Sequence, residues 1–258
     1  MSSMVAGLRQ PYLRAVVDVP SFPGALWHVG SELKARDRER WLSCLWAPAD
    51  ARPALMAVHA LDSEMARVVA DVREPLLAEI RLAWWREQVQ AVADGAAPPP
   101  QPLLQLLATE ARPRVDLARL TRLEDAFLPL VSAGPLDQRE HCRLRGQTLF
   151  EALFAACMRE DAVGRAAARA AGTLWASAEL WRGRRTAHQG ALNLNQGTGS
   201  PAGEPLSDAQ LRELPVPLRA LAALALHDHD ASMSGRSPPP RATAGRQLRM
   251  ARAALLAR

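Results

Sequence analysis

Two histidines and two aspartates occur together as His227-Asp228-His229-Asp230. All four are residue types that bind metal ions. The surrounding pattern is helical, and within one helix His227 and His229 are two positions apart and therefore face different sides. Ligands of one ion have to converge, so we assign no metal site to this segment. The chain also lacks zinc-ligand spacing, a glycine-rich phosphate loop and a nucleophile elbow.

Arginine supplies nearly all of the positive charge. Lysine and arginine together number 32, Lys34 is the only lysine, and the formal net charge is +5. The planar guanidinium group suits phosphate oxygens, and the cluster Arg182, Arg184 and Arg185 could bind a phosphate or an anionic lipid. The arginine bias is also typical of a GC-rich genome that encodes arginine in place of lysine, and the cluster is also typical of a solvated helix end with cations near its C-terminus. No dense basic run contains interleaved aromatic residues, which argues against nucleic-acid binding.

The composition is that of a globular chain. Its 258 residues are 48% hydrophobic and 23% charged, which is too apolar for a disordered polyelectrolyte. No run of about 18 apolar residues occurs, so we expect no membrane span. Residues 1–10 lack the hydrophobic core of a signal peptide, and Cys44, Cys142 and Cys157 follow no metal-binding spacing. We expect reduced, buried thiols and a cytoplasmic location, with peripheral contact to a membrane left open.

Apolar residues recur at spacings of three and four through most of the chain, which predicts an all-α protein. The predicted helices are 31–46, 50–70, 76–93, 102–110, 114–131, 137–159, 162–182, 207–230 and 241–257. Linkers are predicted at 94–102 and 231–240, and a long loop at 183–206. Neither linker separates two self-sufficient cores. We therefore predict one helical domain at 31–230, preceded by an arm at 1–30 and followed by a linker and a basic helix at 231–258.

The stretch from residue 36 to residue 89 resembles the squalene/phytoene synthase family. The most specific part is EPL at 74–76, followed by IRL at 80–82 and WWRE at 84–87. It looks most similar to a divergent branch that includes a mitochondrial factor for the assembly of respiratory complex I. The resemblance implies a single-domain, all-α bundle of the isoprenoid synthase type, with a central cavity.

Active relatives condense two prenyl diphosphates head to head, so the resemblance also implies a mechanism. Diphosphate leaves with the help of Mg²⁺, and a second chain attacks the allylic cation. Mg²⁺ takes oxygen ligands, and two aspartates four residues apart lie on one helical face. Two such motifs on facing helices can hold Mg²⁺ ions against the leaving diphosphate in a dry cavity.

The carboxylates of both motifs are missing from this sequence. Alignment of HALDSEMARVVAD at 59–71 places Ala66 and Ala70 at the first pair of aspartate positions. The second pair falls at Arg182 and Thr186, and Asn193 takes the place of the family tyrosine. A guanidinium group inverts the local charge and should repel Mg²⁺. We therefore assign no catalytic residue, no metal site and no cofactor.

Two sets of side chains remain candidates for an interior site. The cavity-lining candidates are His59, Asp62, Trp84 and Trp85, and the candidates for binding an anion or diphosphate are Arg81, Arg182, Arg184 and Arg185. Alternatives stay open for both sets. The tryptophans are also typical of helix packing, and Arg81 could pair with Glu79 or Glu87 at the surface.

Three functions follow from these observations. The first is a non-catalytic accessory or assembly factor, with a respiratory complex as the specific hypothesis and a lipid, an isoprenoid or a membrane-associated protein as partner. The second is an active prenyltransferase in isoprenoid or carotenoid biosynthesis, whose Mg²⁺ ligands would come from Asp62, Glu64, Asp71 or Glu74. The third is a peripheral membrane or lipid-binding protein. It would use the basic, amphipathic helix 241–257, whose apolar residues are Leu248, Met250, Leu255 and Leu256.

Overall fold

The prediction of an all-α protein is confirmed. A computed structural model describes residues 22–71, 73–132, 134–157, 161–186 and 203–255, and this part of the chain forms helices and no strand. The helices are α1 (Phe22–Arg36), α2 (Arg38–Leu45), α3 (Arg52–Asp71), α4 (Pro75–Ala93), α5 (Pro102–Leu106), α6 (Leu117–Leu120), α7 (Leu123–Phe127), α8 (Gln138–Cys157), α9 (Ala162–Thr186), α10 (Asp208–Glu213), α11 (Val216–Met233) and α12 (Ala244–Leu255).

The first predicted helix, 31–46, is two helices in the structure. Helix α1 begins at Phe22, so residues 22–30 of the expected arm belong to the helical fold, while residues 1–21 lie outside the described part. Pro23 is compatible with this early start because proline is tolerated in the first turn of a helix. The break comes at Asp37, whose side chain accepts hydrogen bonds from the backbone of Glu39 and Arg40 and so caps α2.

Proline also divides two of the other predicted helices. The segment 114–131 consists of α6, α7 and a 3₁₀ turn from Leu128 to Leu130, whose central residue is Pro129. The segment 207–230 is divided at Pro215, which precedes α11. Proline has no backbone N–H to donate, so an uninterrupted helix through these positions would lose hydrogen bonds.

Helix α3 contacts most of the other helices, and its long apolar side chains Leu55, Leu61 and Met65 are fully buried. It packs against α8. Helices α8 and α9 in turn form the most extensive helix–helix contact among the described residues. Gly146 of α8 and Gly172 of α9 lie where the two backbones touch, and a Cβ atom on either glycine would overlap the other residue's carbonyl group. The glycine pair thus allows α8 and α9 to approach closely beside α3.

The C-terminal segment is part of this packing. Helix α12 lies against α11, with Met250 buried. Residues 236–243, which belong to the expected linker and the start of the expected basic helix, are irregular and bring Arg241 towards α2 and α9. No helix among the described residues combines the length and the apolar character needed to cross a membrane.

The three thiols are largely shielded from solvent. Cys44 and Cys142 are buried, and Cys157 is half-buried. Burial raises the pKa of Cys44 far above its usual range and that of Cys157 to about 12. Both side chains therefore stay protonated at neutral pH and behave as small apolar groups rather than nucleophiles.

Candidate functional site

Five carboxylates and five arginines meet where α2, α3, α8, α9 and α11 converge with the C-terminal segment, with Arg241 at the exposed edge and the others buried or half-buried. We call this set the ionic cluster. It consists of Asp37, Glu39, Asp62, Glu179 and Asp228, together with Arg40, Arg145, Arg182, Arg241 and Arg246. Most members line one narrow cleft, with about 270 Å³ of empty space including its open mouth.

Asp62 is the most deeply buried member of the ionic cluster. Arg145 donates from Nε to Oδ1 and from Nη2 to Oδ2, both at 2.8 Å, and Arg40 Nη1 donates to Oδ2 at 2.7 Å. Two guanidinium groups thus compensate one carboxylate. Burial alone would raise the pKa of Asp62, but the charges of Arg145 and Arg40 outweigh burial and hold that pKa well below its usual range.

Aromatic rings hold the two arginines in place. The Arg40 guanidinium lies 4.7 Å from the centre of the Trp175 ring, and that of Arg145 lies 4.7 Å from the Phe127 ring. Guanidinium groups stack favourably on such faces. Arg40 Nε is also 3.1 Å from Asp37 Oδ2, but without hydrogen-bond geometry, so that contact is purely electrostatic.

Arg241 links the C-terminal segment to this half of the cluster. It donates from Nη1 to Asp37 Oδ2 at 2.8 Å and from Nη2 to Glu179 Oε2 at 2.7 Å. Arg40 approaches the same Glu179 oxygen at 3.5 Å. Although burial opposes ionisation, Arg241 and Arg40 hold the pKa of Glu179 below its usual range.

The other half of the cluster is centred on Asp228. Arg246 lies between two carboxylates and bonds to Glu39 Oε1 at 2.6 Å and to Asp228 Oδ1 at 2.6 Å. Arg182 binds Asp228 in a bidentate manner through Nε and Nη2, each at 2.7 Å. Its third nitrogen, Nη1, donates to the backbone oxygen of Pro239 at 2.9 Å. Every nitrogen of Arg182 is therefore engaged within the protein.

His59 lies one helical turn before Asp62 and is completely buried. Neither ring nitrogen has a hydrogen-bond partner in the described structure. Burial, reinforced by the nearby charge of Arg40, lowers the pKa of His59 to about 3. The imidazole is therefore neutral at physiological pH.

The donor set of the ionic cluster does not fit Mg²⁺. Its five negative and five positive groups cancel, and each carboxylate is bound to at least one guanidinium group. The described residues also contain no group of three or more potential ligands arranged around one point. A cation would have to displace arginines that are held by several hydrogen bonds each.

The positions that the resemblance assigns to the motif aspartates lie in different surroundings. On α3, Ala66 is half-buried and Ala70 is exposed. On α9, Arg182 is buried and bound to Asp228, whereas the side chain of Thr186 lies outside the described part. Of these four positions, only Arg182 belongs to the ionic cluster.

The cavity-lining candidates do not share one location. His59 and Asp62 are buried side by side, and Trp85 is buried in the apolar core. Trp84 is an exposed side chain on the outer surface of α4, with its ring 5.0 Å from that of Trp85. The different environments of Trp84 and Trp85 follow from helix geometry, because the side chains of consecutive residues point about 100° apart.

The anion-binding candidates are likewise dispersed. Arg81 is exposed on α4, and Arg182 is buried and fully hydrogen-bonded. The side chains of Arg184 and Arg185 lie outside the described part of the chain. None of the described contacts brings Arg81 and Arg182 together.

The alternative Mg²⁺ ligands do not converge either. Glu64 lies on a different side of α3 from Asp62 and is bound by Arg36 and by Arg67, whose Nη2 is 2.6 Å from its Oε2. Asp71 and Glu74 are exposed.

Of the ionic cluster, sequence reasoning proposed only Asp62 and Arg182 as site residues and missed the other eight, among them Arg145, Glu179, Arg241 and Arg246. A usable signal existed in Arg145, which lies inside the long apolar pattern of α8. A charged residue within an apolar stripe is seldom buried without a partner, so it indicates a hidden ion pair. The identity of that partner could not be read from the sequence, because Asp62 is 83 positions away.

The comparisons with known proteins agree with this architecture. The family model of squalene/phytoene synthase matches residues 33–184. A crystal structure of a dehydrosqualene synthase in complex with a ligand is similar in fold, with a TM-score of 0.54 and 15% identity, over 92% of this chain and 84% of that one. No curated protein is significantly similar in sequence. The chain belongs to the squalene/phytoene synthase family.

Proposed function

We propose that the protein is a non-catalytic member of its family that acts as an accessory or assembly factor. The observation that carries the proposal is the neutral ionic cluster, in which Asp62 is bound by both Arg145 and Arg40. A prenyltransferase that uses Mg²⁺ needs carboxylates that are free to bind the ion. Here the chain's own arginines occupy the carboxylates, and the charges are balanced without ion or substrate.

The cluster also leaves little for a diphosphate to bind. Arg182 donates from all three nitrogens to protein acceptors, and Arg246 is shared between Glu39 and Asp228. A diphosphate would have to compete with these charge-assisted hydrogen bonds in a buried setting. This supports a structural role for the interior rather than a catalytic one.

Assembly of a respiratory complex is the specific role that we propose. It rests on the resemblance of residues 36–89 to the branch that includes a complex I assembly factor, and resemblance is an associational argument. The partner in this proposal is a membrane-associated protein, with a lipid or an isoprenoid as a second ligand. On helix α12, Arg246 and Met250 face the interior, whereas Leu248 and Leu255 are exposed.

The enzymatic question is tested by diphosphate release. Purified protein is incubated with farnesyl or geranylgeranyl diphosphate and Mg²⁺, with EDTA as the blank and an active family member as the positive control. Circular dichroism establishes that the sample is folded and helical. We expect no release above the EDTA blank.

Mg²⁺-dependent release would contradict the proposal. In that case Asp62→Asn would identify the interior as the active site if it abolished release, with exposed Glu213→Gln as the control. Loss of release in Asp71→Asn or Glu74→Gln would instead place the metal ligands at the end of α3.

The assembly role is tested in the host cell. Deletion of the gene should reduce assembled complex I on native gels, and the wild-type gene should restore it. The double variant Asp71→Asn/Glu74→Gln, which removes exposed carboxylates that catalysis could use, should restore it equally well. Unchanged complex I in the deletion strain would remove the respiratory hypothesis and leave the non-catalytic one standing.

A further inference from the structure

The C-terminal part of the chain carries the whole excess of positive charge. Residues 231–258 contain six arginines and no aspartate or glutamate, while the net charge of the entire chain is +5. Two of these arginines, Arg241 and Arg246, are neutralised by carboxylates of the ionic cluster. Three others are exposed and form no ion pair with any described residue. They are Arg236, Arg249 and Arg252.

Helix α12 has a buried face and an outward face. Arg246 and Met250 are buried, whereas Leu248 and Leu255 are 73% and 69% exposed. Leu248, Arg252 and Leu255 follow one another at spacings of four and three residues, so they form one outward stripe. The sequence pattern places Met250 with the leucines, but the packing against α11 turns Met250 inward. The outward stripe therefore combines exposed leucines with an exposed arginine.

The basic side chains continue from α12 to the end of α11. Burial lowers the pKa of the half-buried His227, and the charges of Arg249 and Arg236 add to this effect. The carboxylate that opposes them is Asp228, which is already shared between two arginines of the ionic cluster. Positive charge here exceeds what the neighbouring carboxylates compensate, and such a surface attracts an anionic partner.

The combination of side chains indicates which anionic partner fits. We call the set Arg236, Leu248, Arg249, Arg252 and Leu255 the outer face. A nucleic acid would use its arginines but would leave the leucines in water. A helix lying in the surface of an anionic bilayer uses both, because arginines reach lipid phosphates while apolar side chains enter the boundary of the acyl chains. We propose that the outer face docks the protein on an anionic lipid membrane.

The helix docks as a preformed surface and stays on the protein. Arg246 bonds to Glu39 and to Asp228, each at 2.6 Å, and Met250 is fully buried. Detachment of α12 would leave Glu39 buried without its guanidinium partner. Two leucines and three arginines give reversible, salt-sensitive binding rather than insertion. The proposal goes beyond the assembly role and does not depend on it.

The experiment is flotation of the purified full chain with lipid vesicles. One set of vesicles contains phosphatidylcholine alone, and the other contains equal parts of phosphatidylcholine and phosphatidylglycerol. Wild type should float with the anionic vesicles at low salt and stay in solution with the neutral ones. High salt should reduce the floating fraction, because it screens the arginines from the lipid phosphates.

The basic part of the outer face is tested by charge removal. Arg249→Gln/Arg252→Gln should weaken binding to anionic vesicles about fivefold for each arginine removed. Arg81→Gln/Arg139→Gln removes the same charge from exposed positions on α4 and α8 and is the matched control. The control should bind like wild type, because attraction by net charge alone is not the mechanism. Circular dichroism verifies that each variant is helical.

The apolar part is tested in the same assay. Leu248→Gln/Leu255→Gln should weaken binding about tenfold, because the leucines no longer leave water on docking. Leu76→Gln/Ile80→Gln, at comparably exposed positions on α4, is the matched control and should bind like wild type. Hydrogen exchange in α12 should not increase when vesicles are added. An increase would contradict docking as a preformed surface.

Three results would overturn the proposal: no flotation of wild type with anionic vesicles, equal flotation with neutral vesicles, or equal losses in the outer-face variants and their controls. The first result would identify an acidic protein surface as the better partner for the arginines. The assay contains purified protein and lipid alone. Its outcome is therefore independent of diphosphate release and of complex I assembly.

Discussion

Asp62 and Arg145 form a bidentate ion pair in the centre of the bundle, with Nε···Oδ1 and Nη2···Oδ2 both 2.8 Å long. The pair joins α3 to α8 in the interior, and Arg40 adds a third hydrogen bond from α2. Buried ion pairs add little net stability compared with apolar packing, but loss of one partner leaves the other charge uncompensated. The pair is therefore best tested by separate and combined substitution.

Asp62→Ala should lower the free energy of unfolding by about 3–5 kcal/mol, because Arg145 and Arg40 would remain buried without their common carboxylate. Asp71→Ala, at the exposed end of the same helix, should change it by less than about 0.5 kcal/mol. Urea unfolding followed by circular dichroism measures both. A loss below about 1 kcal/mol for Asp62→Ala would mean that water or rearranged side chains compensate the arginines.

The double variant Asp62→Leu/Arg145→Met should lose less stability than the sum of the two single losses. Each single change leaves a buried charge without its partner, whereas the double change replaces the pair by apolar groups of similar size. The double-mutant cycle should give a coupling of about 1–3 kcal/mol. Strict additivity would contradict direct pairing of the two side chains.

Arg246→Met should destabilise the protein by about 3–5 kcal/mol, because Glu39 loses its guanidinium partner and Asp228 keeps only Arg182. It should also increase hydrogen exchange in α12. Arg249→Met, an exposed arginine on the same helix, is the matched control and should have little effect. Equal effects of the two variants would show that α12 is held by its apolar contacts alone.

Acidification should weaken the fold from about pH 6.5 downward. The pKa of His59 is about 3 in the folded protein and 6.5 in its usual state, so the unfolded chain binds an additional proton between these values. Stability then falls by about 1.4 kcal/mol per pH unit as the pH decreases. The low pKa values of Asp62 and Glu179 also make stability fall as the pH decreases. This effect begins only at lower pH, where the carboxylates of the unfolded chain become protonated.

His59→Leu should flatten this dependence between about pH 6.5 and 4.5, because an apolar side chain replaces a buried imidazole without hydrogen-bond partners. Urea midpoints at half-unit pH intervals measure the slope. The half-exposed His28 provides the control, and His28→Gln should retain the wild-type slope. An unchanged slope in His59→Leu would mean that another group controls acid stability.

Gly146→Ala should be strongly destabilising, by several kcal/mol, because its methyl group would overlap the backbone of Gly172 and force α8 and α9 apart. Gly183→Ala is the matched control on α9, since nothing lies within 4 Å of its added methyl group. Alanine there should be neutral or stabilise by about 0.5–1 kcal/mol through helix propensity. Thermal unfolding compares the two, and tolerance of Gly146→Ala would contradict the close helix contact.

The sequence by itself determined the helical class and most helices. The regular apolar spacing within α3, α8 and α9 is a local property, and it predicts helices regardless of what they contact. Helix ends were less predictable, because Asp37 caps α2 by a hydrogen bond that a periodic pattern does not contain. The alignment that places Ala66 and Ala70 at the motif positions likewise needed only the sequence and remains a prediction.

Only the tertiary structure decided which charges meet. Arg241 and Asp37 are 204 positions apart, and Arg246 and Glu39 are 207 apart. From the sequence alone, each of these four residues looks like an ordinary surface charge of its own segment. Burial and pairing depend on how α2, α9 and the C-terminal segment pack, and a buried charge is tolerated only where that packing supplies its partner. The ionic cluster therefore exists in the fold and in no single stretch of the sequence.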